Sequence, residues 1–184
     1  MLLVGASAII PVFAFPEWEY GNLKEVLLYP AAFNKNFQSG ASDSNILGMV
    51  GTGYMEGKMI LSKPSLHSGF ENHRDKKNVG IHEFVHLIDK SDGMLDGLPT
   101  VLLKNPVTIP WLKMVQQNIE EIHHNRSDIN PYGGVSKEEF LPVIAEYFFE
   151  RPELLKHKHP ELYKMLSEIF SRPGTKAKSD PNPD

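Results

Sequence analysis

The chain contains no cysteine, and this absence narrows the chemistry available to it. Disulfide bonds and thiolate metal ligands are both excluded, so any metal site must use histidine, aspartate or glutamate. Positive charge is also scarce, because 19 Lys and Arg face 23 Asp and Glu and the formal net charge is −4. Without a basic surplus or a basic cluster, there is no electrostatic case for a nucleic-acid partner.

Charge is missing altogether from residues 1–16. A secretory signal starts with a basic region, but the first lysine here is Lys24; a membrane-spanning helix needs about 20 apolar residues, and Pro11 and Pro16 interrupt this run. We therefore expect a core element rather than a targeting segment, in a cytoplasmic protein with no membrane partner. The side chains expected to be buried are Leu2, Leu3, Val4, Ile9, Ile10, Val12, Phe13 and Phe15.

Length and composition predict one domain. A chain of 184 residues with 41% apolar content can bury a sizeable core. We assign residues 1–171 to a single domain and residues 172–184 to a disordered tail, because the end of the chain is rich in Pro, Lys, Ser and Asp.

Short aliphatic runs alternate with longer helical patterns along this domain. Strands are predicted at residues 26–29 and 58–61, aliphatic or β-branched runs that end at Pro30 and before Pro64, and at residues 49–54, a run surrounded by glycines. Helices are predicted at residues 110–124, 136–150 and 160–170. The polar stretch 62–77 is expected to be an irregular loop. Together with the motif helix described next, these elements predict an α+β fold.

The most informative feature of the chain is the run His82-Glu83-Phe84-Val85-His86. Residues four apart on a helix share a face, so both histidines can direct a nitrogen at one ion. A zinc ion lowers the pKa of its bound water to about 7, and Glu83 is placed to take the proton. This is the pattern of HExxH metallohydrolases. The alternative is a surface helix with two solvated histidines, but the apolar neighbours on the other faces favour a buried helix.

A third metal ligand is needed, and Glu146 is the strongest candidate. It lies in an apolar run, where a buried carboxylate requires a cation. The alternative is an ion pair with a neighbour such as Arg151. Glu139 is on the same helix face, but Ser136 precedes it by three residues, which is the spacing of a capping box; we assign Glu139 mainly to the helix N-terminus and secondarily to the site.

Two other residues have simpler interpretations. Asp89 could accept a hydrogen bond from a ligand imidazole or could end the helix, and the sequence favours neither. His159 precedes Pro160 in a lysine-rich segment and is expected to lie on the surface.

Further motifs accompany HExxH in a fixed order. They are Leu27-Leu28-Tyr29-Pro30-Ala31-Ala32-Phe33, Gly57-Lys58-Met59-Ile60-Leu61-Ser62, Asp96-Gly97-Leu98-Pro99, Asn130-Pro131-Tyr132 and Ala145-Glu146-Tyr147-Phe148-Phe149-Glu150-Arg151-Pro152-Glu153-Leu154. With them the chain resembles the Mlc titration factor A family of zinc-dependent peptidases, up to about Phe170.

The resemblance implies a gluzincin-like site in which His82, His86 and Glu146 match the metal ligands and Glu83 the catalytic base. It implies an α+β zincin-like metallopeptidase domain, predominantly helical with a small β-sheet. Zn²⁺ is the implied cofactor. This chain departs from the family pattern at Asn130, where the family tends to have Asp, at Gly133 and Gly134, where it tends to have two alanines, and at Pro142 within the ligand helix.

Tyr132 is retained beside these departures. Its phenol is a candidate catalytic group that would stabilise the oxyanion of a tetrahedral intermediate, and a buried turn aromatic is the alternative.

Two functions follow from these observations. The first is zinc-dependent hydrolysis of a peptide or protein substrate, for which Glu83 is the general base. The second, implied by the family name, is a regulatory protein that sequesters a transcriptional repressor such as Mlc, with a structural or weakly active zinc site. The presence of Glu83 favours the enzyme, because a purely structural site has no need of a base.

Overall fold

A computed structural model describes residues 1–102 and 108–171, which form a mixed α+β arrangement, mostly helical with one small sheet. The helices are α1 (Leu2–Ile9), α2 (Lys63–Glu71), α3 (Val79–Asp89), α4 (Thr108–His123), α5 (Lys137–Glu150), α6 (Pro152–Lys158) and α7 (Pro160–Phe170). The strands are β1 (Glu25–Tyr29), β2 (Gly48–Val50) and β3 (Lys58–Ser62). Short 3₁₀ turns lie at Ile10–Val12, Gly53–Met55, Lys90–Asp92 and Pro131–Gly134. The α+β prediction is confirmed at this level.

The sheet has the strand order β1-β3-β2. β3 is central, pairing in parallel with β1, where Leu27 is opposite Ile60, and antiparallel with β2, where Met49 is opposite the same residue. Four of the five β3 residues are buried, in keeping with a strand covered on both faces. β2 therefore forms one edge of the sheet in the described part of the chain.

Helix α3 lies between two apolar clusters, and this position fixes the orientation of its polar face. Ile81, Val85 and Ile88 pack into the larger cluster with α4, α5 and α7, whereas Phe84 and Leu87 pack into a smaller one with the sheet, α1 and α2. All residues from 80 to 89 are buried. The remaining stripe of α3 is polar and faces α5 and β2.

Most predicted elements are observed, with small differences at their ends. The three strands are present, but the second ends at Val50 and is followed by a 3₁₀ turn. The prediction of an irregular loop at residues 62–77 is wrong, because α2 occupies its first half. Pro64 in the first turn and buried Leu66 support that helix. The tail predicted at 172–184 lies outside the described residues, and the single-domain assignment stays a prediction.

The apolar beginning of the chain is only partly core. Val4 and Val12 are buried, but Leu2 is 85% exposed, Phe13 83% and Ile9 58%, so the expectation of burial is wrong for these three. For Leu2 and Ile9 the physical reason is that α1 packs on α3 along one face only, so close that a methyl group added at Gly80 would lie 2.0 Å from Ser7 Oγ. Phe13 lies after α1, at the end of the 3₁₀ turn. Within residues 1–102 and 108–171, no helix combines the length and apolar character needed to cross a bilayer.

Candidate metal centre

His82 and His86 lie side by side on the polar stripe of α3. Their ring centroids are 4.9 Å apart, and both residues are buried. Asn78 is the N-cap of α3. Its side chain accepts a hydrogen bond from the Ile81 amide at 3.1 Å and so satisfies one of the free N–H groups of the first turn. The cap stabilises the first turn of α3, at the end of which His82 lies.

Glu139 brings its carboxylate from the first turn of α5 to both histidines. Its Oε2 lies 3.1 Å from His82 Nε2 and 3.5 Å from His86 Nε2. The Ser136 hydroxyl meanwhile accepts a hydrogen bond from the Glu139 amide at 3.3 Å, which confirms the predicted N-cap. Only the backbone amide of Glu139 takes part in that hydrogen bond, and its carboxylate contacts the imidazoles. The assignment of Glu139 mainly to the helix N-terminus is therefore wrong.

These three side chains form a donor set suited to a metal ion. One donor atom from each of His82, His86 and Glu139 lies within 4.8 Å of the others, and no other such group of His, Cys, Asp or Glu occurs in the described part of the chain. Two imidazole nitrogens and one carboxylate oxygen are a common ligand set for catalytic zinc. The residues present therefore fit a divalent metal.

Glu146 approaches His82 from the opposite edge of the ring. Its Oε1 lies 2.7 Å from His82 Nδ1, and its Oε2 accepts a hydrogen bond from the Asn78 amide. The alternative partner considered from sequence, Arg151, instead donates to the Arg74 carbonyl at 3.4 Å. The role of Glu146 as third ligand stays a prediction, and the geometry offers Glu139 for that place.

Burial and neighbouring charge act in opposite directions on these groups. Burial lowers the pKa of His82, but hydrogen bonds to Glu139 and Glu146 outweigh it and raise the pKa to about 10. Burial would raise the pKa of Glu139, yet hydrogen bonds from the two imidazoles hold it well below its usual range. The cluster thus favours positive charge between its carboxylates.

Glu83 lies between the histidines and the edge strand. It is buried, and burial raises its pKa despite the nearby imidazoles. A methyl group added at Gly48 of β2 would come within 2.6 Å of Glu83 Oε1, so the glycine allows the carboxylate to rest against the strand backbone. A raised pKa makes the carboxylate of Glu83 a stronger proton acceptor than an ordinary glutamate.

Tyr132 lies at the rim of this cluster. Its side chain is half exposed, and its ring centroid is 5.9 Å from that of His82. Burial and the nearby Glu139 carboxylate raise the pKa of the phenol to about 12, so the group is protonated and able to donate. Because the ring is half exposed, the alternative of a buried turn aromatic is wrong.

Asp89 is positioned by the loop that follows α3. Its Oδ2 accepts a hydrogen bond from the Gly97 amide at 2.9 Å, and burial raises its pKa to about 6. In residues 1–102 and 108–171, neither Asp89 Oδ1 nor His86 Nδ1 has a hydrogen-bond partner, although both atoms are buried. Helix α3 ends at Asp89, as one of the two interpretations from the sequence has it, and the carboxylate accepts its hydrogen bond from the loop that follows.

A second polar cluster, reached from another face of α5, was not expected from the sequence. Asp128 accepts hydrogen bonds from Tyr147 Oη at 2.8 Å and Lys158 Nζ at 3.1 Å, its Oδ1 lies 2.8 Å from His159 Nε2, and Lys76 Nζ is 3.3 Å from its Oδ2. We call these five residues the Asp128 cluster. The surface expectation for His159 is wrong, because its side chain is only 18% exposed. The partners come from distant segments, and no spacing in the sequence connects them.

A buried helix with two histidines and a following glutamate, met by a carboxylate from a second helix, defines the class of HExxH metallohydrolase-like proteins. The chain belongs to the family described as glucose-regulated metallo-peptidase M90, whose sequence model matches residues 1–171.

The chain is also similar to individual proteins, at identities below 30%. The chain is 29% identical over 180 residues to the uncharacterized protein slr2042 of Synechocystis, covering 92% of this chain and 65% of that protein. It is 26% identical to the Mlc titration factor A of Serratia proteamaculans, covering 90% and 68%, and 24% identical to that of Escherichia fergusonii, covering 97% and 73%. The chain thus spans about two thirds of the length of the curated relatives it matches.

Proposed function

We propose that this protein is a metal-dependent peptidase in which His82, His86 and Glu139 hold one zinc ion. The observation that carries the proposal is the convergence of two buried imidazoles, through their Nε2 atoms, on one carboxylate oxygen of Glu139, with distances of 3.1 and 3.5 Å. Zinc is the proposed metal because nitrogen ligands from histidine and one carboxylate suit it better than magnesium or calcium, which prefer oxygen. Membership of a metallo-peptidase family supports the same conclusion.

Each remaining residue of the cluster has a part in hydrolysis. When bound, the metal supplies Lewis acidity to the scissile carbonyl and lowers the pKa of a water molecule. Glu83 takes a proton from the attacking water and later gives it to the leaving amine, which its raised pKa suits. The phenol of Tyr132 donates a hydrogen bond to the oxygen on which negative charge develops.

Two matched glutamate variants test the ligand set. In protein purified without added metal, we expect about one zinc per chain for the wild type and for Glu138→Gln, and a loss of stoichiometric zinc for Glu139→Gln. Glu138 is the adjacent residue on α5 but lies outside the donor set. Equal zinc content in both variants would remove Glu139 from the set.

A third variant tests the chemistry. Glu83→Gln preserves size but removes the base, so zinc should be retained while hydrolysis of a peptide library falls by a factor on the order of 10² or more. Unchanged hydrolysis in this variant would show that Glu83 has no catalytic part.

A regulatory function is the second candidate, and the names of the relatives favour it. Several are called Mlc titration factor A, which describes a protein that titrates Mlc. We infer from this that the chain binds a regulator protein of that kind in the cytoplasm. Purified Mlc is the probe, and size-exclusion chromatography with wild type and Glu83→Gln is the measurement. Binding by both with hydrolysis by neither would favour titration over catalysis.

A further inference from the structure

We propose that Glu146 is a positioning residue that selects the metal-binding tautomer of His82 and fixes this imidazole to the start of α3. The proposal rests on the metal site proposed above. It gives Glu146 a role beside the metal rather than on it, and it makes the two histidines unequal.

The geometry separates the two edges of the His82 ring. Nε2 faces the Glu139 oxygen at 3.1 Å, whereas Nδ1 faces Glu146 Oε1 at 2.7 Å. A neutral imidazole carries a proton on one nitrogen only, and a carboxylate accepts hydrogen bonds but cannot donate one. Without a metal, both carboxylates can accept a hydrogen bond from the ring. A cation bound by Nε2 and Glu139 would displace only the proton on Nε2, so Glu146 keeps the proton on Nδ1 and the lone pair of Nε2 stays directed at the proposed metal position.

The second oxygen of Glu146 is also committed. Oε2 accepts a hydrogen bond from the backbone amide of Asn78, the N-cap residue of α3. Asn78 lies one turn before His82, and its backbone carbonyl accepts a hydrogen bond from the His82 amide at 2.9 Å. One carboxylate from α5 thus joins the backbone at the helix start to the imidazole one turn later, so that ring and helix are positioned together.

His86 has no equivalent support in the described residues. Its Nδ1 is buried without a hydrogen-bond partner. The orientation of the metal-binding pair therefore depends on one carboxylate acting through His82. An amide at position 146 cannot replace it, because both partners are donors and a glutamine side chain has a single oxygen. If that oxygen stays with the Asn78 amide, the NH₂ group faces Nδ1 and favours the proton on Nε2, where it blocks the metal.

The test compares Glu146→Gln with Glu150→Gln in the full chain. Glu150 lies one turn later on α5 and accepts a hydrogen bond from the Lys77 amide at 3.0 Å, which is a similar backbone contact without a histidine. Zinc dissociation constants are measured by competition with a chromophoric chelator. We expect Glu146→Gln to bind one zinc per chain about 10 to 100-fold more weakly than wild type, and Glu150→Gln to match wild type.

A spectroscopic readout separates positioning from a general loss of structure. In zinc-loaded wild type with ¹⁵N-labelled histidine, the Nδ1 proton of His82 should give a slowly exchanging NMR signal, which should weaken or shift in Glu146→Gln. If that variant does not fold, Glu146→Asp keeps the charge but cannot reach both donors, and about tenfold weaker zinc binding is expected.

Three results would overturn the proposal. If Glu146→Gln binds zinc with the affinity of the wild type, Glu146 has no positioning role. Loss of zinc stoichiometry in Glu146→Gln with full stoichiometry in Glu139→Gln would make Glu146 a direct ligand. Equal weakening in Glu150→Gln would reduce the effect to helix packing. If wild type itself binds no zinc, the proposed function fails instead, which is a distinguishable outcome.

Discussion

Helix α5 contributes to two polar clusters on different faces, and the two clusters have opposite ratios of negative to positive groups. Glu146 and Tyr147 are adjacent in sequence, yet the first contacts His82 and the second donates to Asp128. On the His82 side, the carboxylates of Glu83, Glu139 and Glu146 surround two imidazoles. We call these five residues the His/Glu cluster.

In the Asp128 cluster one carboxylate meets two lysines, a histidine and a phenol. Burial would raise the pKa of Asp128, but hydrogen bonds from His159, Tyr147 and Lys158 hold it well below the usual range. In this cluster the lysines balance the charge of the single carboxylate, whereas the His/Glu cluster has three carboxylates and only two imidazoles. Buried carboxylates without enough cations are costly, so the imbalance favours the His/Glu cluster as the one that an external cation would stabilise.

The largest expected contrast comes from removing one histidine of each cluster. His86→Ala leaves two donors where such sites require three, so stoichiometric zinc and the zinc-dependent rise in melting temperature should both be lost. His159→Ala should keep both. Metal analysis and thermal unfolding with and without zinc measure the difference. Full zinc occupancy in His86→Ala would contradict the comparison.

Removing one phenol of each cluster should separate activity from stability. Tyr132→Phe should reduce peptide hydrolysis by a factor on the order of 10², because an oxyanion donor is lost, while the stability of the protein changes little. Tyr147→Phe should leave the rate unchanged and lower the free energy of unfolding, since its hydroxyl donates to Asp128 at 2.8 Å. Equal hydrolysis by Tyr132→Phe and wild type would assign Tyr132 a structural role.

The stability of the Asp128 cluster should depend on pH in a definite direction. Because the folded-state pKa of Asp128 lies below its unfolded value of about 3.9, the ionised group stabilises the protein above about pH 4, and this contribution is lost as the pH falls further. Asp128→Asn should therefore lower the free energy of unfolding at pH 7 by about 1–3 kcal/mol. Urea unfolding across pH measures it. A deficit that stays constant down to acid pH would show that the charge is not responsible.

The smallest effect is expected at the edge of the same cluster. The side chain of Lys158 is 45% exposed, so water screens its ion pair with Asp128. Lys158→Gln should change the free energy of unfolding by no more than about 0.5 kcal/mol. A larger loss, measured at low salt and again at high salt, would show that the cluster acts as one cooperative unit.

The histidine helix could be predicted from sequence because its signal is local. The two histidines are four residues apart and apolar residues occupy the other faces, so periodicity alone sets their common direction. The N-cap at Ser136 was predictable for the same reason.

The choice between Glu139 and Glu146 could not be made in this way. The two are seven residues apart on one face of α5, so periodicity gives them the same direction. Which of them meets Nε2 of His82, and which meets Nδ1, depends on how α5 docks against α3. The Asp128 cluster is even less predictable from sequence. Its residues come from separate segments of the chain and meet only when the helices pack together. The helix α2 was missed because it is short and mostly polar, so its apolar periodicity is weak.

The position of α3 between two apolar clusters also bears on how the site opens. Its residues from 80 to 89 are buried, and it contributes side chains to both clusters, so separating it from one leaves it held by the other. Backbone amides in such an element exchange with deuterium only in the rarest and largest openings. We therefore expect α3 to be among the slowest-exchanging segments of the chain. A route to the site that required α3 to move away would therefore be as rare as those openings.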